Sequence, residues 1–163
     1  MIEYPEIDAI DKRILAVLQD DARITNRDLA ARVGLSPSAS LARMKGLRER
    51  GIITGFAAEL DLARLGRPLQ ALIAIRLNSH ERTELDRFVE DLVALEETLS
   101  VFHLSGEADY LLHVAVADPT HLRDVVLDQL TIRPEVAQVT TSLMFEHHRS
   151  QPQPLQRAHG VDA

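Results

Sequence analysis

The sequence predicts an α+β protein with two domains, and three observations support that prediction. Amphipathic helical patterns follow one another through about the first third of the chain. Beyond residue 68, apolar residues with a period of two alternate with helical patterns in the order βαββαβ. The composition of the 163 residues, 45% hydrophobic but only 4% aromatic, suits two small aliphatic cores. We therefore expect a helical domain at 1–55, a linker strand and hinge at 56–68, a second domain at 69–149 and a disordered tail at 150–163.

Capping signals place the first two helices. Asp8 is positioned as the N-cap of a helix that carries apolar residues at Ile14 and Leu18. Thr25, followed three residues later by Asp28, has the spacing of a capping box. We expect a second, short helix to begin there.

A third helix follows after a very short turn. Gly34 can adopt the positive φ that ends a helix, and Ser36-Pro37 supplies an N-cap followed by proline at the first helical position. The third helix ends at Gly51, and its apolar stripe, which we predict to be buried, consists of Leu41, Met44 and Leu47. Two helices joined by a three-residue turn with glycine are typical of a helix-turn-helix, whose second helix enters the major groove of DNA. We therefore expect a three-helix domain of the winged or plain helix-turn-helix class at 1–55.

If that stripe is buried, the other faces of the third helix are left for DNA. Small side chains near its start allow close approach to base edges, and Arg43 can bind a guanine edge or a phosphate. The other cations suit contacts to the phosphate backbone. The predicted DNA contacts are Arg27, Arg32, Ser36, Ser38, Ala39, Ser40, Arg43, Lys45 and Arg48.

The distribution of charge permits DNA binding although the whole chain is acidic. The net charge is -7, but residues 22–55 carry seven cations against two anions, whereas residues 61–163 carry nine cations against sixteen acids. Screening limits the reach of distant charge to about 8–10 Å. The alternative is a small helical domain with a solvated basic face, which the spacing alone leaves open.

The second domain is predicted from strand alternation and capping signals. A strand runs from Leu69 to Leu77, and Asn78 and Ser79 are expected to cap a helix that buries Leu85, Phe88, Val89, Leu92 and Val93. Strands at 99–104 and 110–116, a helix begun by Asp118-Pro119 and a strand at 136–145 complete the order. This order predicts the ferredoxin-like arrangement, an antiparallel sheet with both helices on one face.

The other face of that sheet still carries apolar groups. A second copy of the domain is the economical way to cover them, so we predict at least a homodimer. We expect an octamer as the larger assembly.

Other classes of function are disfavoured. The chain has no cysteine, no signal-peptide pattern and no membrane-spanning run, so we expect a cytoplasmic, nucleoid-associated protein of a bacterium or archaeon with no membrane partner. His103 and His113 are expected to be packed or interface residues. If the last strand continues through the adjacent His147 and His148, these point to opposite faces and cannot both ligate one ion. We therefore predict no metal site and no cofactor. We also predict that the chain is not an enzyme, since no nucleophile motif is present.

The order of residues in the helical region resembles a known family. The matching positions are Asp8, Asp11, Ile14, Leu15, Leu18, Gln19, Asp21, Arg23, the run 33–37, Arg43, Leu47, Gly51, Ile52, Ile53, Gly55 and Phe56. In these positions, and in its βαββαβ order, the chain resembles the leucine-responsive regulatory protein/AsnC (Lrp/AsnC) family of feast/famine regulators over about residues 7–149. Gly46 departs from the family, which usually has a longer, often basic residue there, and glycine inside a helix costs about 1 kcal/mol relative to alanine.

The resemblance implies an amino-acid effector site at a subunit interface. Residues 105–112 resemble the family's Gly-x-x-Asp-Tyr signature, where a carboxylate can pair with an α-ammonium group and turn N–H groups can hold the α-carboxylate. The implied effector-binding residues are Leu104, Ser105, Gly106, Glu107, Asp109, Tyr110, Thr140, Thr141 and Ser142. Glycine and aspartate are also ordinary hairpin residues, so the alternative is that Asp109 only caps its own turn.

These expectations combine into one function. The chain is expected to be a sequence-specific DNA-binding transcriptional regulator, modulated by an amino acid or related small molecule bound at a subunit interface. The alternative is an oligomeric amino-acid sensor that binds DNA weakly or not at all, which Gly46 keeps open. An enzyme would have to rely on His103, Asp109 and His113.

Overall fold

The chain forms two compact units. The computed structural model describes residues 6–78, 82–148 and 150. Residues 6–58 belong to the first unit and residues 59–148 to the second. The first contains three helices and the second a four-stranded sheet with helices, which confirms the predicted α+β class.

The helices of the first unit begin where side chains satisfy their free amides. They are α1 (Ala9–Asp20), α2 (Asn26–Val33) and α3 (Pro37–Glu49). The Asp8 carboxylate accepts hydrogen bonds from the backbone N–H groups of Ile10 and Asp11 at 2.8 and 2.7 Å. Thr25 Oγ1 accepts from the Asp28 N–H at 3.2 Å and donates to the Asp28 carboxylate at 2.7 Å. Both predicted N-caps are confirmed.

An aliphatic core holds the three helices together, and its buried members are Ile14, Leu18, Leu29, Val33 and Leu47. The buried face of α3 differs from the predicted one. Ser40 and Leu47 are fully buried and Met44 is half-buried, whereas Leu41 is 53% exposed. Ser40, Met44 and Leu47 follow the four-then-three spacing of one helix face, so the prediction that Leu41 is buried is wrong.

The second unit contains β1 (Leu69–Leu77), α4 (Arg82–Ala94), β2 (Thr98–His103), β3 (Tyr110–Val116), α5 (Pro119–Asp124) and β4 (Val136–Met144). Its strands lie in the order β2-β3-β1-β4, and every neighbouring pair is antiparallel. The predicted βαββαβ order and ferredoxin-like arrangement are confirmed. The proposed cap residue Ser79 lies outside the described residues, and Asn78 instead donates from its side chain to the Pro134 carbonyl at 3.1 Å.

The helices cover one face of the sheet. Alternate residues of β1, namely Ala71, Ile73, Ile75 and Leu77, pack with a buried set from β3 and the helices that includes Phe88, Leu92, Leu112, Val114, Leu122 and Leu130. Val93, predicted to join this core, is 60% exposed. A helix turns by about 100° per residue, which carries Val93 beyond the face that buries Phe88 and Leu92.

The second helix of this unit does not remain an α-helix. After α5 the chain continues as a π-helical segment, Val125–Thr131. A π-helix bonds residue i to residue i+5, which brings residues five apart close to one face. Val125 and Leu130 are accordingly both buried, while Leu127 between them is 52% exposed.

The linker contains no strand where one was predicted. Residues 56–60 have no regular secondary structure, and Phe56 and Leu60 are 49% and 66% exposed. An isolated strand gains no ladder hydrogen bonds, and no described strand pairs with this segment. The strand assigned to residues 56–60 is therefore wrong for this chain, and the hinge at 61–68 stays a prediction.

The face of the sheet opposite the helices is only partly covered. Leu72 lies opposite His113, and Ala74 lies opposite Leu111, which in turn pairs with Phe102. Phe102 is 47% exposed, and Leu72, Ala74 and Leu111 are half-buried. We refer to this surface as the open face.

Gly46 allows a direct test of the α3 geometry. A methyl group at this position would meet no atom within 4 Å, so we expect Gly46→Ala to raise the free energy of unfolding of the helical unit by about 1 kcal/mol. Urea unfolding followed by circular dichroism measures the change.

Gly34→Ala is the matched control. Gly34 has φ +73°, a conformation that strains alanine, so this variant should lower stability by about 1–2 kcal/mol. A Gly46→Ala variant less stable than the parent would contradict the open space around Gly46.

Candidate nucleic-acid interface and ligand site

The turn between α2 and α3 is short and tightly bonded. Gly34 ends α2 in the left-handed conformation, and Ser36 Oγ accepts a hydrogen bond from the Ala39 N–H at 3.2 Å to cap α3. The side chain of Asn26, at the start of α2, donates to the Pro37 carbonyl at 2.8 Å. These contacts fix the start of α3 relative to α2 in the way that a helix-turn-helix requires.

The exposed stripe of α3 consists of Ser38, Leu41, Ala42, Lys45 and Arg48. Leu41 and Ala42 each lie three or four positions from both Ser38 and Lys45, and Arg48 follows Lys45 by three, so these residues share one side of the helix. Ser40 is completely buried, and its hydroxyl has no hydrogen-bond partner among the described residues. The prediction that Ser40 contacts DNA is therefore wrong, because a buried side chain cannot reach a base.

The predicted phosphate-binding cations are placed at the surface. Arg27 and Arg32 are exposed on α2, and Lys45 and Arg48 are exposed on α3. Lys45 lies 3.6 Å from Glu49, at the long end of an ion pair on the helix surface. Within the described part of the chain, no ion pair engages Arg27, Arg32 or Arg48.

Arg43 points away from the exposed stripe and into an ion network with α1. Its guanidinium lies 2.5 Å from the Asp8 carboxylate and 2.9 Å from the Asp11 carboxylate. Arg50 binds the other oxygen of Asp11 at 3.0 Å and donates to the Glu6 carbonyl at 2.6 Å. Asp11 is buried, so its charge depends on both arginines. Arg43 is thereby placed as a residue that positions α3.

The network changes the electrostatics of Asp8. The backbone N–H of Asp11 and the Arg43 guanidinium together hold the pKa of the Asp8 carboxyl below its ordinary value. Hydrogen bonds to the carboxylates of Asp8 and Asp11 raise the pKa of Arg43. Both shifts favour the charged forms in the folded chain.

Gly46 borders this network and not the exposed stripe. With Glu6 and Arg50 it lines a shallow cleft of about 350 Å³ beside the ion pairs. A longer residue at position 46 would extend over the network. The departure from the family pattern therefore leaves the exposed stripe itself intact.

In the second unit, the predicted ligand loop joins β2 to β3. The Leu104 N–H donates to the Asp109 carbonyl at 2.8 Å, and Gly106 has φ +148°, which favours glycine. The Asp109 carboxylate accepts a hydrogen bond from the Leu77 N–H at 2.7 Å. Leu77 follows a register shift in β1, so Asp109 stabilises a neighbouring strand as well as its own loop. Leu104, Ser105, Gly106 and Glu107 are exposed around it.

Tyr110 lies under the helices and not on the open face. It is 3% exposed, its ring lies 5.6 Å from the Phe88 ring, and it stacks on His103 at 4.8 Å. Burial, and then the charges of Asp109 and Asp86, raise the pKa of its hydroxyl. Tyr110 and His103 border a cleft of about 460 Å³, whose other lining residues are Asp86, Val89, Glu90 and Val101.

The predicted hydroxyl residues of β4 lie away from this loop. Tyr110 pairs with Ile75, which pairs with Val139, so β4 is two strand spacings, or about 10 Å, from β3. Thr140, Thr141 and Ser142 lie further along β4 and are exposed, with Thr140 and Ser142 on the open face and Thr141 on the helix side. One chain does not bring the loop and these hydroxyls together around one small ligand.

The histidines have local partners. His113 is buried beside Gln70, with 3.0 Å between its Nε2 and the amide oxygen, and its ring meets His147 edge-on at 5.9 Å. His148 binds the Glu146 carboxylate at 2.8 Å. Over residues 6–78, 82–148 and 150, no three His, Asp or Glu side chains are grouped to hold a metal ion. In the same residues no helix is long and apolar enough to cross a membrane.

Two features of the interface escaped the sequence. Leu41 is exposed, and Arg43 is held against Asp8 and Asp11 at the start of α1 and not on the exposed stripe. The signal that could have shown this is a pair of acids at the start of α1, the N-cap Asp8 and the buried Asp11, both of which bind a cation of α3.

Comparisons with known proteins agree with both units. Residues 7–54 match the model of a winged helix-turn-helix DNA-binding domain, and residues 70–154 match the Lrp/AsnC ligand binding domain. The chain is 41% identical over 144 residues to the HTH-type transcriptional regulator AldR of Mycolicibacterium smegmatis, covering 88% of this chain and 84% of that protein. It is 38% identical to the transcriptional regulator AzlB of Bacillus subtilis, covering 85% and 88%.

Solved structures with the same architecture include two complexes with L-methionine. A transcriptional regulator from Neisseria meningitidis in complex with L-methionine superposes with a TM-score of 0.82 at 35% identity, over 90% of this chain and 97% of that one. A feast or famine regulatory protein from Mycobacterium tuberculosis, complexed with L-methionine, gives 0.80 at 29% identity, over 91% and 100%. The two domains define a DNA-binding transcriptional regulator with a ligand-binding domain. The chain belongs to the Lrp/AsnC family of transcriptional regulators.

The charge on Asp8 makes the stability of the helical unit depend on pH. Asparagine at position 8 keeps an N-cap acceptor but cannot ionise. Because folding lowers the pKa of Asp8, its charge stabilises the fold above the pKa of the unfolded chain, and this stabilisation is lost as the pH falls through the lower folded value. We expect Asp8→Asn to be less stable than the parent at pH 7 and the difference to shrink below about pH 4.

Thermal unfolding of the two proteins between neutral and acid pH measures this difference. A gap in melting temperature that stays constant across the range would contradict a role for the ionised carboxylate.

Proposed function

We propose that this regulator inserts the exposed stripe of α3 into the major groove of its operator DNA, and that an amino acid bound between protomers modulates the complex. The observation that carries the proposal is the stripe itself, Ser38, Leu41, Ala42, Lys45 and Arg48, on the second helix of a helix-turn-helix. Small residues at its start permit close approach to the bases. Its far end is cationic, which suits phosphate.

The individual contacts divide into two groups. Ser36, Ser38 and Ala39, at the start of α3, lie where base edges are met. Arg27, Arg32, Lys45 and Arg48 hold the phosphate backbone and set the register of the helix on the duplex. Arg43 is left out of the contacts, because two carboxylates already hold its guanidinium.

The effector site requires two protomers. The loop of one protomer, Leu104 to Tyr110, supplies turn amides for an α-carboxylate and the Asp109 charge for an α-ammonium. Thr140 and Ser142, on the open face of a second protomer, supply hydroxyls, since their own loop is too distant, whereas Thr141 lies on the helix side and is left out. The complexes of two family members with L-methionine support an amino acid as the effector.

The open face supports assembly into at least a homodimer. Its apolar residues, Phe102, Leu111, Leu72 and Ala74, are incompletely covered in one chain. A second copy would bury them and pair two α3 helices for a two-fold operator. We further propose an octamer as the larger assembly, and a bacterial cytoplasm with nucleoid DNA as the setting. We infer no catalytic activity and no cofactor.

One binding experiment tests the proposal. A labelled duplex selected by the full-length protein from a random library is titrated by fluorescence anisotropy at several salt concentrations, with and without each of the twenty amino acids. We expect binding that weakens steeply with salt, because phosphate contacts release counterions, and at least one amino acid that changes the Kd. Lys45→Ala should reduce the magnitude of the salt slope by about 1.

Asp109→Asn is the variant that tests the effector site. Asparagine keeps an acceptor for the Leu77 N–H but lacks the charge that pairs with an ammonium group. It should abolish the response to the amino acid and leave the Kd for DNA unchanged. An undiminished response would overturn the effector site, and failure of the parent protein to select any duplex at low salt would overturn the DNA interface.

A further inference from the structure

Leu41 is the one large apolar side chain on the exposed stripe of α3. It is 53% exposed, in the N-terminal half of the helix that a helix-turn-helix places against base edges. A single exposed leucine on a protein surface is ordinary. Its position between Ser38, three residues before, and Lys45, four residues after, places it in the middle of the proposed DNA contact.

Few polar groups remain nearby to distinguish bases. The Arg43 guanidinium, which could bind guanine, is held by Asp8 and Asp11 at 2.5 and 2.9 Å. The Ser36 hydroxyl caps α3 and lies 3.1 Å from the Ser38 hydroxyl, while Ser40 is buried. Hydrogen bonding from this part of α3 therefore offers little discrimination between base pairs.

We propose that Leu41 determines part of the operator sequence by packing against the C5-methyl group of a thymine. That methyl is the apolar group on the major-groove edge of the bases, and cytosine lacks it. The inference rests on the DNA interface proposed above and adds the base that one residue selects. The leucine gains a dry apolar contact at thymine and remains against polar edges at the other bases.

Deoxyuridine provides the direct test, because it differs from thymidine only by the missing methyl group. Each thymine of the selected duplex is replaced singly by deoxyuridine, and the Kd of the full-length protein is measured. We expect one position in each half-site at which the parent protein loses about fourfold in affinity, the effect of burying one methyl group. Leu41→Ala should bind the thymine duplex more weakly and no longer distinguish it from the deoxyuridine duplex.

Two variants serve as controls. Leu65→Ala removes a leucine that is 59% exposed in the other unit, and it should keep the full discrimination. Lys45→Ala should weaken binding to the thymine and deoxyuridine duplexes equally, which separates loss of affinity from loss of specificity. Circular dichroism should show an unchanged melting temperature for Leu41→Ala, since its side chain is not part of the core.

The outcomes separate this inference from the DNA interface on which it rests. Normal duplex selection by the parent, with methyl discrimination that survives in Leu41→Ala or is found at no position, overturns the role of Leu41 and leaves the DNA interface standing. Failure of the parent to select any duplex overturns both. If Leu41→Ala is the one tested variant that no longer distinguishes the thymine duplex from the deoxyuridine duplex, the contact between Leu41 and the thymine methyl group is established.

Discussion

The ion network around Asp11 is the interaction on which the DNA-binding unit depends. Asp11 is buried on α1, and its two oxygens are bound by Arg43 of α3 and by Arg50 at the end of α3. A buried carboxylate is costly without partners, so this geometry strongly favours one rotation of α3 about its axis. That rotation turns Ser40 into the core and Leu41 outward. The network therefore acts together with the buried Leu47 to set which side chains are available to DNA.

In the second unit, one carboxylate likewise connects two structural elements. Asp109 accepts a hydrogen bond from the backbone of Leu77, so the loop that we assign to the effector is attached to the irregular end of β1. A ligand that pairs with this carboxylate acts on a group that also stabilises the sheet. The sheet also carries the open face, on which we propose assembly, so the proposed ligand site and the proposed interface belong to one structural element.

The sequence was most informative where local chemistry decides the structure. The N-caps Asp8, Thr25 and Ser36 and the left-handed Gly34 were all identified from residue types, because each acts on amides within three residues. The alternation of β1 likewise predicted its buried face. Each of these rules depends only on residues that are close to one another in the sequence.

Features that depend on residues far apart in the sequence could not be predicted in the same way. Leucine is normally favoured over serine in a core, yet Ser40 is buried and Leu41 is exposed, in a helix whose orientation is held by an ion pair to α1 and by the burial of Leu47. Arg43 looked like a DNA contact, since its partners lie more than thirty residues away in the sequence. The π-helical turn at Val125–Thr131 and the absence of a strand at 56–60 likewise reflect packing and pairing that no local pattern encodes.

A double-mutant cycle between Asp11 and Arg43 measures directly how strongly these two side chains are coupled. Native-state hydrogen exchange of the α3 amides in the parent, Asp11→Asn, Arg43→Gln and the double variant gives the opening free energy of the helix in each. We expect the double variant to be distinctly less destabilised than the sum of the two single changes, because each single change already breaks the shared ion pair. Strictly additive effects would contradict a coupling between these residues and, with it, the explanation for how α3 is oriented.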